Sequence, residues 1–247
     1  MQLHEILYSQ GFGTRRVCAG LVQQGHVQVY QDAGDAVPVP CRDPAAELLA
    51  DGLRFRVQGV DWPYHGKAYL MLHKPAGTEC SQKPSTYPSI YTLLPSPLRM
   101  RPQKAAVQGV QAVGRLDQDT TGLLLLTDDG KFIHRMSSPR HHVPKVYEVL
   151  VKHPIDDAQV GQLLGGVVLD DDPQPVRAAA CEAVSGHHLR LTLTEGKYHQ
   201  VKRMLAAVGN RVEGLHRSSI GSLHLPPDLL PGQWRWLSPA DLASISA

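Results

Sequence analysis

A charged loop that runs directly into a leucine block is the part of this chain best suited to chemistry. Residues 114–122 read Gly-Arg-Leu-Asp-Gln-Asp-Thr-Thr-Gly, and residues 123–126 are all leucine. Four leucines are too few to cross a membrane and are typical of a strand buried on both faces. A side chain at the end of such a strand is held rigidly, which makes Asp117 the natural chemical centre of the loop.

The spacing of Arg115 and Asp117 allows two interpretations. If this stretch is extended, both side chains point to the same face, and a cation shares one pocket wall with a carboxylate. Such a pair fits a reactive carboxylate. It fits equally well an Arg–Asp ion pair that closes a turn, because structural ion pairs also perturb carboxylates.

A second group of polar residues precedes a predicted helix near the C-terminal end. Residues 195–205 read Glu-Gly-Lys-Tyr-His-Gln-Val-Lys-Arg-Met-Leu. Val201, Met204, Leu205 and Val208 have i, i+3, i+4, i+7 spacing, which predicts an amphipathic helix that Gly209 ends. Lys202 and Arg203 lie off this apolar stripe, near the start of the helix.

Composition sets broad limits on what the protein is. The chain has 247 residues, 42% of them hydrophobic and 19% charged, with a formal net charge of +2. It has no apolar run long enough for a transmembrane helix, and its first residues do not resemble a signal peptide. The four cysteines lie far apart without a C-x-x-C pair, so we expect reduced thiols in a cytoplasmic protein and no metal site.

Positive charge is concentrated locally. Residues 190–217 contain six Lys or Arg against two Glu, whereas residues 1–60 contain five basic and six acidic residues. Local basic patches in a nearly neutral protein favour a folded RNA of defined shape as the partner. Solvated helix faces are the alternative explanation.

Residues 1–60 are predicted to form a separate small domain. Two short helices are expected over residues 3–23, interrupted by Gly11-Phe12-Gly13, with Thr14 as the cap of the second and Val17, Leu21 and Val22 facing inward. Short strands at 27–29 and 53–57 follow. This pattern resembles an S4-type RNA-binding domain, and the resemblance implies that Arg15 and Arg16 contact RNA phosphates.

Residues 61–66 are the predicted linker, and residues 67–247 the second domain. Strands are expected at 69–72, 123–126, 146–151 and 189–193, with a helix capped by Asp156 or Asp157. The proline-rich residues 81–105 are expected to be irregular. Strands mixed with a few helices, without regular βαβ alternation, indicate an α+β fold with a mixed, largely antiparallel sheet.

Four segments in this order resemble the pseudouridine synthases of the RsuA family. They are His73-Lys74-Pro75-Ala76-Gly77, the stretch from 114 to 127, Lys145-Val146-Tyr147, and the stretch from 195 to 204. Residues 138–142 and 198–204 point to the branch that modifies small-subunit rRNA.

The resemblance implies that a uridine in RNA is isomerised to pseudouridine. The C1′–N1 bond breaks, uracil turns in the pocket, and C1′ is rejoined to C5, without a cofactor or metal. By resemblance Asp117 is the catalytic aspartate, acting as a nucleophile on ribose or base or as a base at C2′. Tyr147 stacks on the target base, and Lys202 is the basic partner of the aspartate. The residues expected to contact RNA near the site are Arg115, Lys145, Lys197, Arg203 and Arg140.

Several alternatives remain at this point. Tyr147 could be an ordinary core or surface residue, and Lys202 could bind only phosphate. Six histidines are assigned to RNA contact or ordinary surface rather than to a metal site: His134, His141, His142, His187, His188 and His199. The target could be large-subunit rRNA, or the chain could be a non-catalytic ribosome-assembly factor. His73 replaces an Asn common in the family, which leaves the role of that loop open. We expect a monomer that acts on 16S rRNA or on a small-subunit assembly intermediate, with no membrane partner.

Overall fold

The computed structural model describes residues 1–32, 34, 36–103, 108–138, 141–170 and 172–245. The chain divides into two compact units. The first unit comprises residues 1–68, 94–111 and 127–129, and the second unit comprises residues 69–93, 112–126 and 130–247. Across the described residues, no helix has both the length and the apolar character needed to span a membrane.

The first unit packs three helices with a small antiparallel sheet. Its elements are α1 (Leu3–Gln10), α2 (Arg15–Gln23), β1 (Val27–Val29), β2 (Val39–Pro40), β3 (Arg54–Val57), β4 (Val60–Pro63) and α3 (Ser96–Met100). The strand order is β2-β1-β3-β4. Thr14 caps α2 by accepting a hydrogen bond from the Val17 amide at 3.3 Å, as the sequence predicts.

Two details of this unit differ from the sequence prediction. Val17 is 50% exposed, whereas Cys18 and Val22 are buried. Cys18 lies four residues before Val22 and one turn below it, so these two define the inward face of α2 and Val17 falls outside it. Residues 61–63, the first half of the predicted linker, belong to β4 because buried Trp62 pairs opposite Phe55 on β3.

A buried ion pair joins distant segments of the first unit. Arg101, only 1% exposed, donates from Nε to Asp128 Oδ2 at 2.7 Å and from Nη1 to Gln10 Oε1 at 2.8 Å. Its Nη2 donates to the His65 carbonyl at 2.7 Å, and Asp128 accepts from the Ala68 amide at 2.8 Å. One guanidinium group thus fixes the end of α1, the chain after β4 and the end of α3.

The second unit is built on a large mixed sheet. Its strands are β5 (Tyr69–Lys74), β6 (Gln111–Ala112), β7 (Thr121–Thr127), β8 (Lys145–Val151), β9 (Val167–Leu169), β10 (Asp172–Val176), β11 (Ala180–Ser185), β12 (His188–Leu193), β13 (Val212–Ile220), β14 (Leu223–His224) and β15 (Trp234–Trp236). Its helices are a 3₁₀ turn (Ile90–Leu93), α4 (Gly130–Ser137), α5 (Asp157–Gly165), α6 (Gln200–Ala207) and α7 (Pro239–Ile245). The described strands follow the order β11-β12-β8-β13-β7-β5-β15, and β9 pairs with β10 separately.

The α+β, largely antiparallel architecture predicted from the sequence is confirmed. Strands β12, β8 and β13 are antiparallel neighbours, while β13 and β7 are parallel. Leu123 to Leu126 are at most 1% exposed, so the leucine block is buried on both faces, as predicted. The proline-rich stretch is less irregular than expected, since it contains the 3₁₀ turn and α3.

Gly122 lets two strands approach closely beside the site. It has a φ of +109°, and a Cβ there would lie 2.3 Å from the Arg217 carbonyl oxygen. Only glycine accommodates both the positive φ and this approach. The glycine that ends the Asp117 loop therefore sets the packing of β7 against β13.

Candidate active site

A cleft of about 520 Å³ in the second unit collects most of the predicted site residues. It is lined by the loop before β7, by β8, by the start of α6 and by β13. Asp117, Tyr147 and Lys202, predicted as catalytic from the resemblance, all line it. Three segments that are far apart in sequence therefore meet at one site.

Asp117 lies between two basic groups. Its Oδ2 is 3.2 Å from Lys202 Nζ, and its Oδ1 is 3.2 Å from His199 Nε2. The Asp117 side chain is 26% exposed, so it is shielded but reachable from the cleft. The cation beside it is Lys202 rather than Arg115, and its loop is closed by a Thr120 amide to Asp117 carbonyl hydrogen bond of 3.1 Å.

Lys202 is shared between two carboxylates. Its Nζ also donates to Asp119, at 2.7 Å to Oδ1 and 2.9 Å to Oδ2. Burial works against the charge of Lys202, but hydrogen bonds and negative charge from Asp119 and Asp117 raise its pKa. Burial also opposes ionisation of Asp119, yet the Lys202 hydrogen bond and charge lower its pKa. The net shifts keep Lys202 positive and Asp119 negative at neutral pH.

The start of α6 fixes Lys202 and His199 in place. Val201, Met204 and Leu205 are buried as the predicted stripe requires, and Gly209 follows the last turn with a φ of +77°. His199, the N-cap residue, adopts the left-handed conformation, with φ 49° and ψ 33°. Its ring lies beside Asp117 and stacks on Tyr198 with centroids 3.7 Å apart. A non-glycine residue with this backbone is uncommon and is often found at functional sites.

The His-Lys-Pro-Ala-Gly segment, residues 73–77, fixes the Asp117 loop by hydrogen bonds to its backbone carbonyls. Lys74 is fully buried and donates from Nζ to the carbonyls of Thr120, Pro75 and Gln118, at 2.9, 3.1 and 3.3 Å. Burial lowers the pKa of Lys74, while the negative groups nearby oppose that shift. The Gly77 amide donates to the Gln118 carbonyl at 2.8 Å. His73, whose role the sequence leaves open, has Nδ1 2.7 Å from the Leu229 carbonyl oxygen.

Tyr147 and Arg217 face each other across the sheet at the cleft. They are paired residues of antiparallel β8 and β13, so their side chains emerge on the same face. Tyr147 is 9% exposed and Arg217 is 3% exposed. The phenol ring therefore forms a wall of the cleft, with a buried guanidinium group beside it.

The residues predicted to bind RNA near the site fall into three groups. Arg115, Lys145 and Lys197 line the cleft. Arg203 does not line it and donates to the Tyr198 carbonyl at 3.2 Å. Arg140 lies outside the described residues.

Arg15 and Arg16 belong to the first unit. Both are exposed at the start of α2, and the Arg15 guanidinium lies 4.1 Å from the centre of the Tyr8 ring. That exposure leaves both side chains accessible to a partner. Their contact with RNA stays a prediction.

Sequence reasoning misses four residues of the site. Asp119 carries a weak signal, since it lies two positions after Asp117, and the histidine at 199 is assigned from sequence only to RNA contact or ordinary surface. Lys74 appears only as part of a loop motif. Arg217 has no local signal, because only the pairing of β8 with β13 brings it beside Tyr147. Among the residues that the structure describes, no cluster of His, Cys, Asp and Glu could hold a metal ion.

Comparison with known proteins identifies the class. Residues 68–207 match the family model described as RNA pseudouridylate synthase. A solved structure described as a pseudouridylate synthase superposes with a TM-score of 0.66 at 31% identity, over 99% of both chains. The chain therefore belongs to the RNA pseudouridylate synthase family, an isomerase family, which confirms the resemblance drawn from the four sequence segments.

Similar proteins from two bacteria carry a more particular name. A Vibrio cholerae protein is 42% identical over 245 residues, which cover 99% of each chain. A Yersinia pestis protein is 43% identical over 182 residues, or 74% of each chain. Both are named ribosomal small subunit pseudouridine synthase A.

Proposed function

We propose that this protein isomerises one uridine of 16S rRNA, free or in a small-subunit assembly intermediate, to pseudouridine. The observation that carries this proposal is the carboxylate of Asp117, held between Lys202 and His199 in a cleft with an aromatic wall. The names of the relatives at 42–43% identity support the choice of RNA. Action as a monomer in the cytoplasm, where ribosomal subunits assemble, is part of the same proposal.

Entry of the target base comes first in the proposed reaction. The uridine must leave its stack, at a cost of a few kcal/mol. Stacking of a base on an aromatic ring returns about 1–3 kcal/mol, so Tyr147 can offset much of that cost. The basic side chains of Arg115, Lys145 and Lys197 along the cleft suit the phosphates on either side of the extruded nucleotide.

Asp117 then acts as an ionised carboxylate. It attacks ribose or base, or it removes the proton from C2′; in each case the ionised form is the reactive one. The positively charged Nζ of Lys202 lies 3.2 Å from this carboxylate. After the C1′–N1 bond breaks, uracil turns, C5 bonds to C1′, and the hydrogen on C5 leaves as a proton.

The first unit is proposed to be an S4-like RNA-binding domain. Two helices followed by a small antiparallel sheet, with Arg15 and Arg16 exposed at the start of the second helix, support this assignment. The amide groups at a helix N-terminus and the two arginines together favour a phosphate there. The second unit would then carry the chemistry, and the first would add affinity for RNA.

Mapping of pseudouridines in rRNA tests the proposal. We expect cells that lack the protein to lose one pseudouridine in the small-subunit rRNA. The wild-type gene and an Asp228→Asn variant, changed at an exposed carboxylate, are expected to restore it. Asp117→Asn is expected to restore nothing, and Asp119→Asn to restore it only in part because Lys202 is then less well held.

Three outcomes contradict the proposal in different ways. Loss of a large-subunit pseudouridine would refute the choice of RNA. Loss of no site, or full restoration by Asp117→Asn, would refute the proposed chemistry. Restoration by Asp117→Asn but not by Asp119→Asn would move the catalytic role to the second carboxylate.

A further inference from the structure

Arg217 carries a buried hydrogen-bond donor without a partner among the described residues. Its side chain is 3% exposed, and its Nε donates to the Leu123 carbonyl at 2.8 Å. Its Nη2 is buried and makes no hydrogen bond within the described part of the chain. A buried donor left unsatisfied is rare, and one on a charged group is especially costly. Such a group needs a specific reason to be kept.

The position of this donor indicates what it would bind. Arg217 lines the cleft that contains Asp117, and it pairs across the sheet with Tyr147. The hydroxyl group of Thr120, which also lines the cleft, is likewise buried without a partner in the described chain. These two unsatisfied polar atoms thus belong to residues that line the cleft in which the base is proposed to stack.

The charge of Arg217 is not neutralised by a carboxylate. Within the described residues Arg217 forms no ion pair, and its basic neighbour Lys145 lines the same cleft. Burial lowers the pKa of Lys145, and the positive charge of Arg217 lowers it further. Positive charge that is buried and uncompensated favours a ligand that carries or develops negative charge.

We infer that Arg217 donates from Nη2 to a carbonyl oxygen, O2 or O4, of the extruded uracil and stabilises the negative charge that forms there. This inference rests on the proposed function. Nε, held by the Leu123 carbonyl, fixes the plane of the guanidinium group, so Nη2 need not reorganise to meet the base. Arg217 thereby holds the base while Tyr147 supports its face.

The proposed routes place charge where this donor can act. If Asp117 attacks C1′, or removes the C2′ proton, the electron pair of the C1′–N1 bond passes to uracil and is shared by N1, O2 and O4. If Asp117 adds to C6, the electron pair of the C5–C6 double bond moves toward C4 and O4. A fixed cationic donor at O4 lowers the barrier in every case, and one at O2 does so in the first two.

Sulfur substitution at the target uridine tests this inference. The target, located by pseudouridine mapping, is replaced by 2-thiouridine or 4-thiouridine in a ligated RNA, since sulfur accepts hydrogen bonds poorly. Loss of tritium from C5 reports the reaction. The variants are Arg217→Met, Arg217→Lys and, as a matched control, Arg211→Met, whose side chain is 70% exposed beside Glu213.

We expect Arg217→Met to lower kcat by about 10²–10³-fold with little change in KM for RNA. One of the two sulfur substitutions should slow the reaction of the wild-type protein and of Arg211→Met. The same substitution should leave the rate of Arg217→Met equal to its rate on unmodified RNA. This coupling identifies the oxygen that Arg217 contacts, and effects of sulfur on RNA structure cancel in the comparison. A purely structural role would lower the rate by the same factor on all three RNAs.

Two results would overturn the inference alone, and a third would overturn the proposed function with it. If both sulfur substitutions slow Arg217→Met as much as they slow the wild-type protein, Arg217 does not contact the base. If the variants fail to fold, a wild-type rate unchanged by sulfur at both positions leads to the same conclusion. Failure of the wild-type protein to convert unmodified small-subunit rRNA overturns the proposed function as well.

Discussion

Replacement of Arg101 by Met is expected to destabilise the first unit strongly. Nε of Arg101 lies 2.7 Å from Asp128, and the two side chains are only 2% and 5% exposed. Loss of the guanidinium group leaves a buried carboxylate without its counter-charge. It also removes the donors to Gln10 and to the His65 carbonyl. Breaking a buried pair in this way costs about 3–5 kcal/mol.

The same unit contains a matched control. Arg56 and Asp61 form an ion pair of equal length, 2.7 Å, but their side chains are 32% and 47% exposed. Water and ions screen such a pair, so Arg56→Met is expected to destabilise the unit far less than Arg101→Met. The two variants therefore remove ion pairs of the same length that differ in how deeply they are buried.

Amide hydrogen exchange of α1 and β3 measures this difference within the first unit. Arg101→Met should lower the free energy of opening by about 3 kcal/mol or more, which is an increase of over about a hundredfold in exchange rate. Adding Asp128→Asn should recover part of the loss, because the uncompensated charge is gone and the side-chain oxygen can still accept from Ala68. Equal losses for Arg101→Met and Arg56→Met would refute the reasoning.

Two further predictions concern a surface loop and RNA affinity. Amide hydrogen bonds from Tyr87, Ser85 and Thr86 lower the pKa of Glu79 to about 2 from an ordinary 4.5. The ionised Glu79 carboxylate stabilises this loop fully above pH 4.5, and that stabilisation is lost as the pH falls through about 2. The NMR signals of these three amides should therefore shift near pH 2 in the wild-type protein but not in Glu79→Gln. Amide signals that do not change in acid would contradict this prediction. Replacing Arg15 and Arg16 by Ala should weaken RNA binding while the circular dichroism spectrum stays unchanged. The plot of log binding constant against log salt concentration should become shallower by roughly one unit of slope per lost phosphate contact. Binding that is unaffected across a salt series would count against an S4-like role.

Local patterns in the sequence are sufficient to predict a structural feature when the interactions that decide it are local. Thr14 caps α2, and Asp156 forms a capping box with Gln159 at the start of α5. A cap is decided by residues within one turn, so its signal is contained in a short window. The leucine block is buried as predicted, because four consecutive apolar residues leave neither face of a strand suited to water.

Local patterns fail where packing selects between neighbouring positions. Val17 is predicted to face inward but is 50% exposed, since Cys18 and Val22 are the buried residues of α2. The two alternatives differ by one step around a short helix, and only the surface against which the helix packs decides between them. For the same reason residues 61–63 are predicted as part of a linker but belong to β4, because Trp62 pairs opposite Phe55 on β3.

The sequence by itself determined the family, the reactive carboxylate expected from it and the chemistry that the family performs. Those depend on short segments whose order along the chain is distinctive. Lys202 is expected from the resemblance as the basic partner of Asp117, and the structure places its Nζ 3.2 Å from Asp117 Oδ2. Only the tertiary structure decided that His199 lies at the other carboxylate oxygen and that buried Arg217 lies across from Tyr147. Each of these neighbours is brought in from a distant part of the chain. Strand register and the left-handed turn before α6 fix where they lie, and a linear pattern does not encode such distances.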